Sequence, residues 1–190
     1  MLFRSLEIEF SWVGETARHI GSVVHRWLQR IAEEGLAGWD ARRVRALQKT
    51  FADELVVSGL AADVVTEAAR QVDLILGQTL SSERGRWLLD ARDEAQSEVR
   101  LTGMTDQGIA NIIMDRTFVD EHNVRWIVDY KTGGHEGGDI EAFLDREQER
   151  YREQLERYAA LMQALDDRPI RVGLYFPLLN GWREWEPRNG

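Results

Sequence analysis

The spacing of apolar residues along this 190-residue chain changes near residue 95 from helical to mainly strand-like, and that change limits the folds open to it. Before it, apolar side chains recur at helical intervals. Ile20, Val23, Val24, Trp27, Leu28 and Ile31 predict an amphipathic helix over 14–34, which Gly35 and Gly38 end. Val44, Leu47, Phe51 and Leu55 predict a second helix over 39–58. Val64, Val65, Ala68, Val72, Leu74, Ile75 and Leu76 predict a third over 61–79, and a short one fits 83–90. After the change the pattern is that of strands: 98–101, 109–119 and 124–130, the last two joined by the turn Glu121-His122-Asn123 in a hairpin. A glycine-rich loop, a long polar helix over 139–165 and strands at 170–176 and 181–186 complete the chain. Helices, then strands, then a helix between strands, make an α/β fold with a mixed sheet. The expected organisation is a single domain over 1–190. Its first part, 1–90, is mainly helical, and the sheet core occupies 91–190.

Lysine use singles out one strand. Of 24 basic residues only Lys49 and Lys131 are lysine. Lysine is a compact ammonium with a tunable pKa, whereas arginine is a planar fork of fixed charge. Lys131 ends the run Trp126-Ile127-Val128-Asp129-Tyr130-Lys131, and in a strand residues 129 and 131 emerge on one face. Asp115, at the end of Ile112-Ile113-Met114, falls opposite or diagonal to Asp129 if the hairpin turns at 121–123. Two carboxylates that close repel, and a hard divalent cation relieves the repulsion. Magnesium or manganese is the expected cofactor, with Lys131 beside the reacting phosphate or its attacking water. Glu98 adds a carboxylate on a strand upstream. Gln154 and Tyr158, four apart on the long helix, share a face. Alone, an Asp-x-Lys triplet is also a common surface ion pair, a lone helical histidine such as His25 is more often structural, and Gln154 can simply flank a buried Tyr158. Trp182 and Trp185 are read as core aromatics of an edge strand.

Charge and composition exclude several alternatives. The net charge is −9, with +2 over residues 1–50 (8 basic, 6 acidic) and −11 over the rest (16 basic, 27 acidic). This is no basic footprint, so a nucleic-acid role needs a metal to screen the carboxylates and a second domain or subunit for grip. The chain has no cysteine, which excludes disulfides and thiolate metal sites. There is no phosphate-cradling G-x-x-x-x-G-K-[ST] run and no G-x-S-x-G elbow. No apolar run is long enough for a bilayer and the start carries early acids, so a cytoplasmic location without membrane contact is expected.

Four elements in order resemble a known family. Gly21-Ser22-Val23-Val24-His25 is similar to a G-x-x-x-H motif, and Asp115 after Ile112-Ile113-Met114 to a G-x-x-D motif. Asp129-Tyr130-Lys131-Thr132-Gly133 matches D-Y-K-T-G, and Gln154-Leu155-Glu156-Arg157-Tyr158 matches Q-x-x-x-Y. Together they resemble the RecB/AddA-type nuclease domain of the PD-(D/E)XK superfamily, which forms the C-terminal domain of helicase–nucleases. The resemblance implies a restriction-endonuclease-like core and metal-dependent DNA phosphodiester hydrolysis in DNA end processing. It implies DNA and a helicase, in the same polypeptide or as a subunit, as partners. It implies His25, Asp115, Asp129 and the backbone carbonyl of Tyr130 as metal ligands and Asp115, Asp129 and Lys131 as the catalytic set. Gln154 and Tyr158 would support the lysine or substrate, and Glu98 would be an acidic helper. Ile112 departs from the family's usual glycine, the chain is small beside the large parent proteins, and the lack of cysteine excludes the iron–sulfur type. Two other readings stand beside it: a catalytically inactive DNA-binding or scaffolding module of the same fold, and a helical interaction protein.

Overall fold

The computed structural model describes residues 3–105, 108–135 and 137–188. The chain divides into two compact units, residues 1–89 and 90–190. The division falls where the apolar spacing changes.

The first unit is helical: α1 (Phe3–Glu34), α2 (Ala41–Ala46), α3 (Gln48–Val57), α4 (Val65–Ser81) and α5 (Glu83–Leu89). The stripe foreseen on α1 is buried from Ile20 to Ile31. Trp27 is the hub of this core. Its ring meets Trp39 and Phe51 edge-on at 6.1 and 5.2 Å, and its indole N–H donates to Glu54 at 3.2 Å. The single helix expected over 39–58 is two helices. Asp40 caps α2 by accepting the Arg43 N–H at 2.7 Å. At Leu47 the backbone leaves helical geometry (φ −93°, ψ 4°) and its N–H bonds three residues back, so α3 starts afresh. Both Val44 and Phe51 stay buried across the break, which is why periodicity alone reads straight through it.

The second unit is a five-stranded sheet in chain order, β1 (Asp93–Thr105), β2 (Gly108–Val119), β3 (Arg125–Tyr130), β4 (Ile170–Phe176) and β5 (Gly181–Trp185), with α6 (Ile140–Gln163) between β3 and β4. All neighbours pair antiparallel except β3 and β4, which are parallel. A parallel pair needs a crossover, and α6 supplies it. Asp139 caps α6 through the Ala142 N–H at 2.9 Å. The helix lays Leu144, Leu155, Ala159, Leu161 and Met162 on Ile112, Met114, Ile127, Val172 and Leu174 of the sheet. All six residues of β3 are buried, so its apolar run does not alternate.

β1 begins five residues earlier than the sequence suggests and ends four later. Its first half, Asp93-Glu94-Ala95-Gln96-Ser97, is too polar to read as a strand, yet the ladder with β2 runs from Asp93↔Val119 to Thr105↔Gly108 with one shift between Asp93 and Gln96. β2 therefore extends well past β3, which it pairs only from Arg116↔Val128 to Val119↔Arg125.

Candidate active site

The sheet breaks its own alternation at Asp115. Met114 lies in the core beneath α6, as does Ile127, and Thr117 pairs with Ile127 and therefore shares its face. Residues three apart cannot share a face of a regular strand. The strand consequently switches face between 114 and 117. On β1, Glu98 lies between the pairs Ser97↔Arg116 and Val99↔Met114, opposite Asp115, and adopts φ 53°. A left-handed residue within an antiparallel pair is a local irregularity of the strand, here without a register shift, since Ser97↔Arg116 and Val99↔Met114 stay in step on either side of it. One carboxylate oxygen of Glu98 and one of Asp115 lie within 4.8 Å of each other.

At the same level β2 and β3 part. Continued by one step, the ladder would pair Asp115 with Asp129, but it ends at Arg116↔Val128. Instead the Asp115 carboxylate accepts the Tyr130 backbone N–H at 2.7 Å. β3 carries on beside β4 as far as Tyr130↔Tyr175, and the Lys131 N–H donates to the Tyr175 carbonyl at 2.8 Å. The carboxyl end of β3 is thus held on one side by β4 and on the other by a side chain.

Asp129 is buried at this end, and its Oδ2 lies 2.5 Å from Lys131 Nζ. The side chains at 129 and 131 meet as the two-residue spacing requires. The Lys131 ammonium also sits 3.5 Å from the centre of the Tyr151 ring on α6. One turn further on, the Gln154 side-chain amide donates to the Tyr158 hydroxyl at 2.8 Å. Burial raises the pKa of the Tyr158 phenol, with the Gln154 hydrogen bond working in the opposite direction and the charges of Asp129 and Asp115 adding to the rise. Burial likewise raises the pKa of the Tyr130 phenol, so both phenols are uncharged at neutral pH.

Of the residues singled out in sequence, this unit gathers Glu98, Asp115, Asp129, the Tyr130 backbone and Lys131 around the carboxyl end of β3, with Gln154 and Tyr158 on the facing helix. His25 belongs to the helical unit, half-buried on α1 among Val23, Val24 and Trp27. Tyr151 is not among the residues that the sequence singles out. The available signal was its spacing: 151, 154 and 158 fall on one side of a helix. Trp185 is buried, and Trp182 packs 6.0 Å from Trp126, in keeping with a core role for both.

Glu98, Asp115 and Asp129 offer carboxylate oxygens, hard groups of the kind that hold a divalent cation, beside the Lys131 ammonium. No curated protein matches the chain. Among the described residues no helix is long and apolar enough to cross a membrane. A mixed five-stranded sheet with a crossover helix, preceded in the chain by a helical region, is consistent with the restriction-endonuclease-like α/β core, and the members of one superfamily with that core are generally metal-dependent nucleases. The sequence profile of this family matches residues 6–185, through both units, and the chain belongs to the PD-(D/E)XK nuclease superfamily.

Proposed function

We propose that the protein is a magnesium- or manganese-dependent deoxyribonuclease of the RecB/AddA type. It would hydrolyse DNA phosphodiester bonds during end processing in recombination and repair, alongside a helicase. The observation that carries the reading is the Asp129–Lys131 pair at 2.5 Å, next to an Asp115 carboxylate anchored on the Tyr130 N–H. A surface ion pair has no need of burial or of a second carboxylate aimed at the same strand end.

Asp115 and Asp129 would hold the metal, joined by the Tyr130 carbonyl and, on the strength of the motif order, by His25. Glu98 would hold a metal-bound water through its carboxylate. When bound, the metal supplies Lewis acidity, lowering the pKa of a water and neutralising charge on the phosphate. Asp129 orients the Lys131 ammonium, which donates a hydrogen bond to the attacking water or to a phosphate oxygen as negative charge grows there. Gln154 and Tyr158, already bonded to each other, offer an amide oxygen and a phenol to the substrate without bringing charge.

The test is cleavage of fluorescently labelled single- and double-stranded DNA with Mg2+, with Mn2+ and with EDTA. We expect divalent-dependent cleavage by the parent. In Asp129→Ala and Lys131→Ala we expect cleavage to fall at least a hundredfold, with the far-UV spectrum unchanged. If both variants cut at the parent's rate, the assignment is wrong. Metal binding without turnover would favour a scaffolding role, and no metal binding would remove both readings. The helicase association is tested separately, by whether the natural gene lies in frame with, or beside, ATPase motifs.

A further inference from the structure

Lys131 makes two contacts with quite different groups, and only one is accounted for by the family pattern. Asp129 meets the ammonium at 2.5 Å. The other contact is Tyr151, whose ring centre is 3.5 Å from Nζ. Tyr151 is not loosely attached. It packs against the core that α6 forms with the sheet, on a helix fixed at its start by the Asp139 cap. Arg150 also approaches the ring, but at 5.3 Å and from a neighbouring position of the same helix, so Lys131 is the nearer cation.

We propose that Tyr151 is a positioning residue for Lys131. Its ring is the platform that holds the ammonium in one rotamer beside Asp129. This rests on the nuclease reading only for its consequence in catalysis; the contact itself stands apart from it. The reasoning is geometric. A lysine has four rotatable side-chain bonds and a point charge at the end, so a single carboxylate fixes its distance but not its direction. The negative face of an aromatic ring attracts the ammonium from a second direction. With the Asp129 carboxylate on one side of the ammonium and the ring on another, its direction as well as its distance is fixed. A lysine so held reaches the transition state without an orientational search. The phenol hydroxyl plays no part in this, which separates the role from hydrogen-bonding or acid–base catalysis.

The chain's scarcity of lysine makes the test direct. Protein labelled with 13C-lysine shows two ε-methylene resonances, and Lys49, exposed and paired with Asp53, serves as the internal reference. In the metal-free parent the Lys131 ε-protons should be shifted upfield by the ring current, and the shift should vanish in Tyr151→Leu and persist in Tyr151→Phe. A Lys131 signal at the Lys49 position in the parent, or one unmoved by Tyr151→Leu, overturns the proposal whether or not the protein cuts DNA. In the cleavage assay Tyr151→Leu should lower kcat about tenfold with KM nearly unchanged, while Tyr151→Phe keeps the parental kcat. A parent that cleaves DNA and a folded Tyr151→Leu that cleaves equally fast also overturn it. Should Tyr151→Leu fail to fold, pentafluorophenylalanine at 151 keeps the ring's shape and reverses its charge distribution. A loss of kcat there supports the proposal and parental kcat refutes it. A parent inactive on every DNA with every metal refutes the nuclease reading alone and leaves the spectroscopic result to decide the contact.

Discussion

Asp115 has two demands on one carboxylate. It replaces a missing ladder partner by accepting the Tyr130 N–H, and it presents its charge toward Glu98. The two demands can be separated chemically. Asparagine keeps a carbonyl oxygen for the amide but loses the charge. Asp115→Asn should therefore cost about 1 kcal/mol of stability in urea denaturation while weakening Mn2+ binding at least tenfold in calorimetry. If Mn2+ affinity is unchanged, Asp115 is a structural residue and not a ligand. Much at this scale was legible in the sequence. The one informative lysine, the Asp-Tyr-Lys spacing and an upstream Asp at hairpin distance are all local patterns. Tyr151 was hidden because an aromatic at a core-facing helix position looks the same in sequence whether it meets leucine or an ammonium. The Glu98 kink was hidden because φ 53° at a glutamate leaves no trace in composition.

The strands are tied at their other end by a charge cluster. The buried Arg125 at the start of β3 donates to Asp166, in the turn after α6, at 2.7 Å, and also to Glu94 on β1. Arg168 joins the same two acids, at 3.1 Å to Asp166 and 2.6 Å to Glu94. For Asp166, burial works to raise the pKa, but the Arg168 backbone N–H and the Arg125 guanidinium outweigh it and hold the carboxyl below its ordinary value of 3.8. A carboxyl lowered on folding adds stability that is complete above that ordinary value and is lost as pH falls through the folded one. Near neutral pH, Asp166→Asn should cost about 1–2 kcal/mol, and its difference from the parent should shrink as pH drops below 3.8. Thermal melts across acid pH check this, and a gap that stays constant would show that the charge contributes nothing. Apart from Arg168 and Asp166, which are two residues apart, these partners lie 31 to 74 residues apart, so no local pattern announces the cluster. The elements themselves were legible wherever one period ran unbroken, as in α6 and β4. They were misjudged at Leu47, where burial continues through a break, and in the first half of β1, where hydrogen bonding carries a strand that its side chains do not advertise.

As a whole, the molecule sets an acidic chain against a polyanionic substrate. Its charge of −9 is concentrated after residue 50, in the part that carries the sheet. Contacts to phosphates release counterions and dominate non-specific affinity, and many of this chain's basic groups already pair with an acidic neighbour. In EDTA the isolated chain should therefore bind duplex DNA with a Kd of about 10–100 μM, and Ca2+ should tighten it at least tenfold. Fluorescence anisotropy checks this, and nanomolar affinity without a divalent ion would contradict it. The order of helical region and sheet, and the family, followed from periodicity and motif order. The division into two compact units coincides with the change of period, although a single spacing change does not distinguish one domain from two units. The edge of the sheet has a further consequence. β1 is an outer strand of thirteen residues, long enough to be a template on which copies could zip together. Its left-handed kinks at Glu94 and Glu98, with Arg100 exposed beyond them, deny an incoming strand a flat, uncharged rim. The irregularity at Glu98 thus also interrupts the straight edge on which such pairing depends.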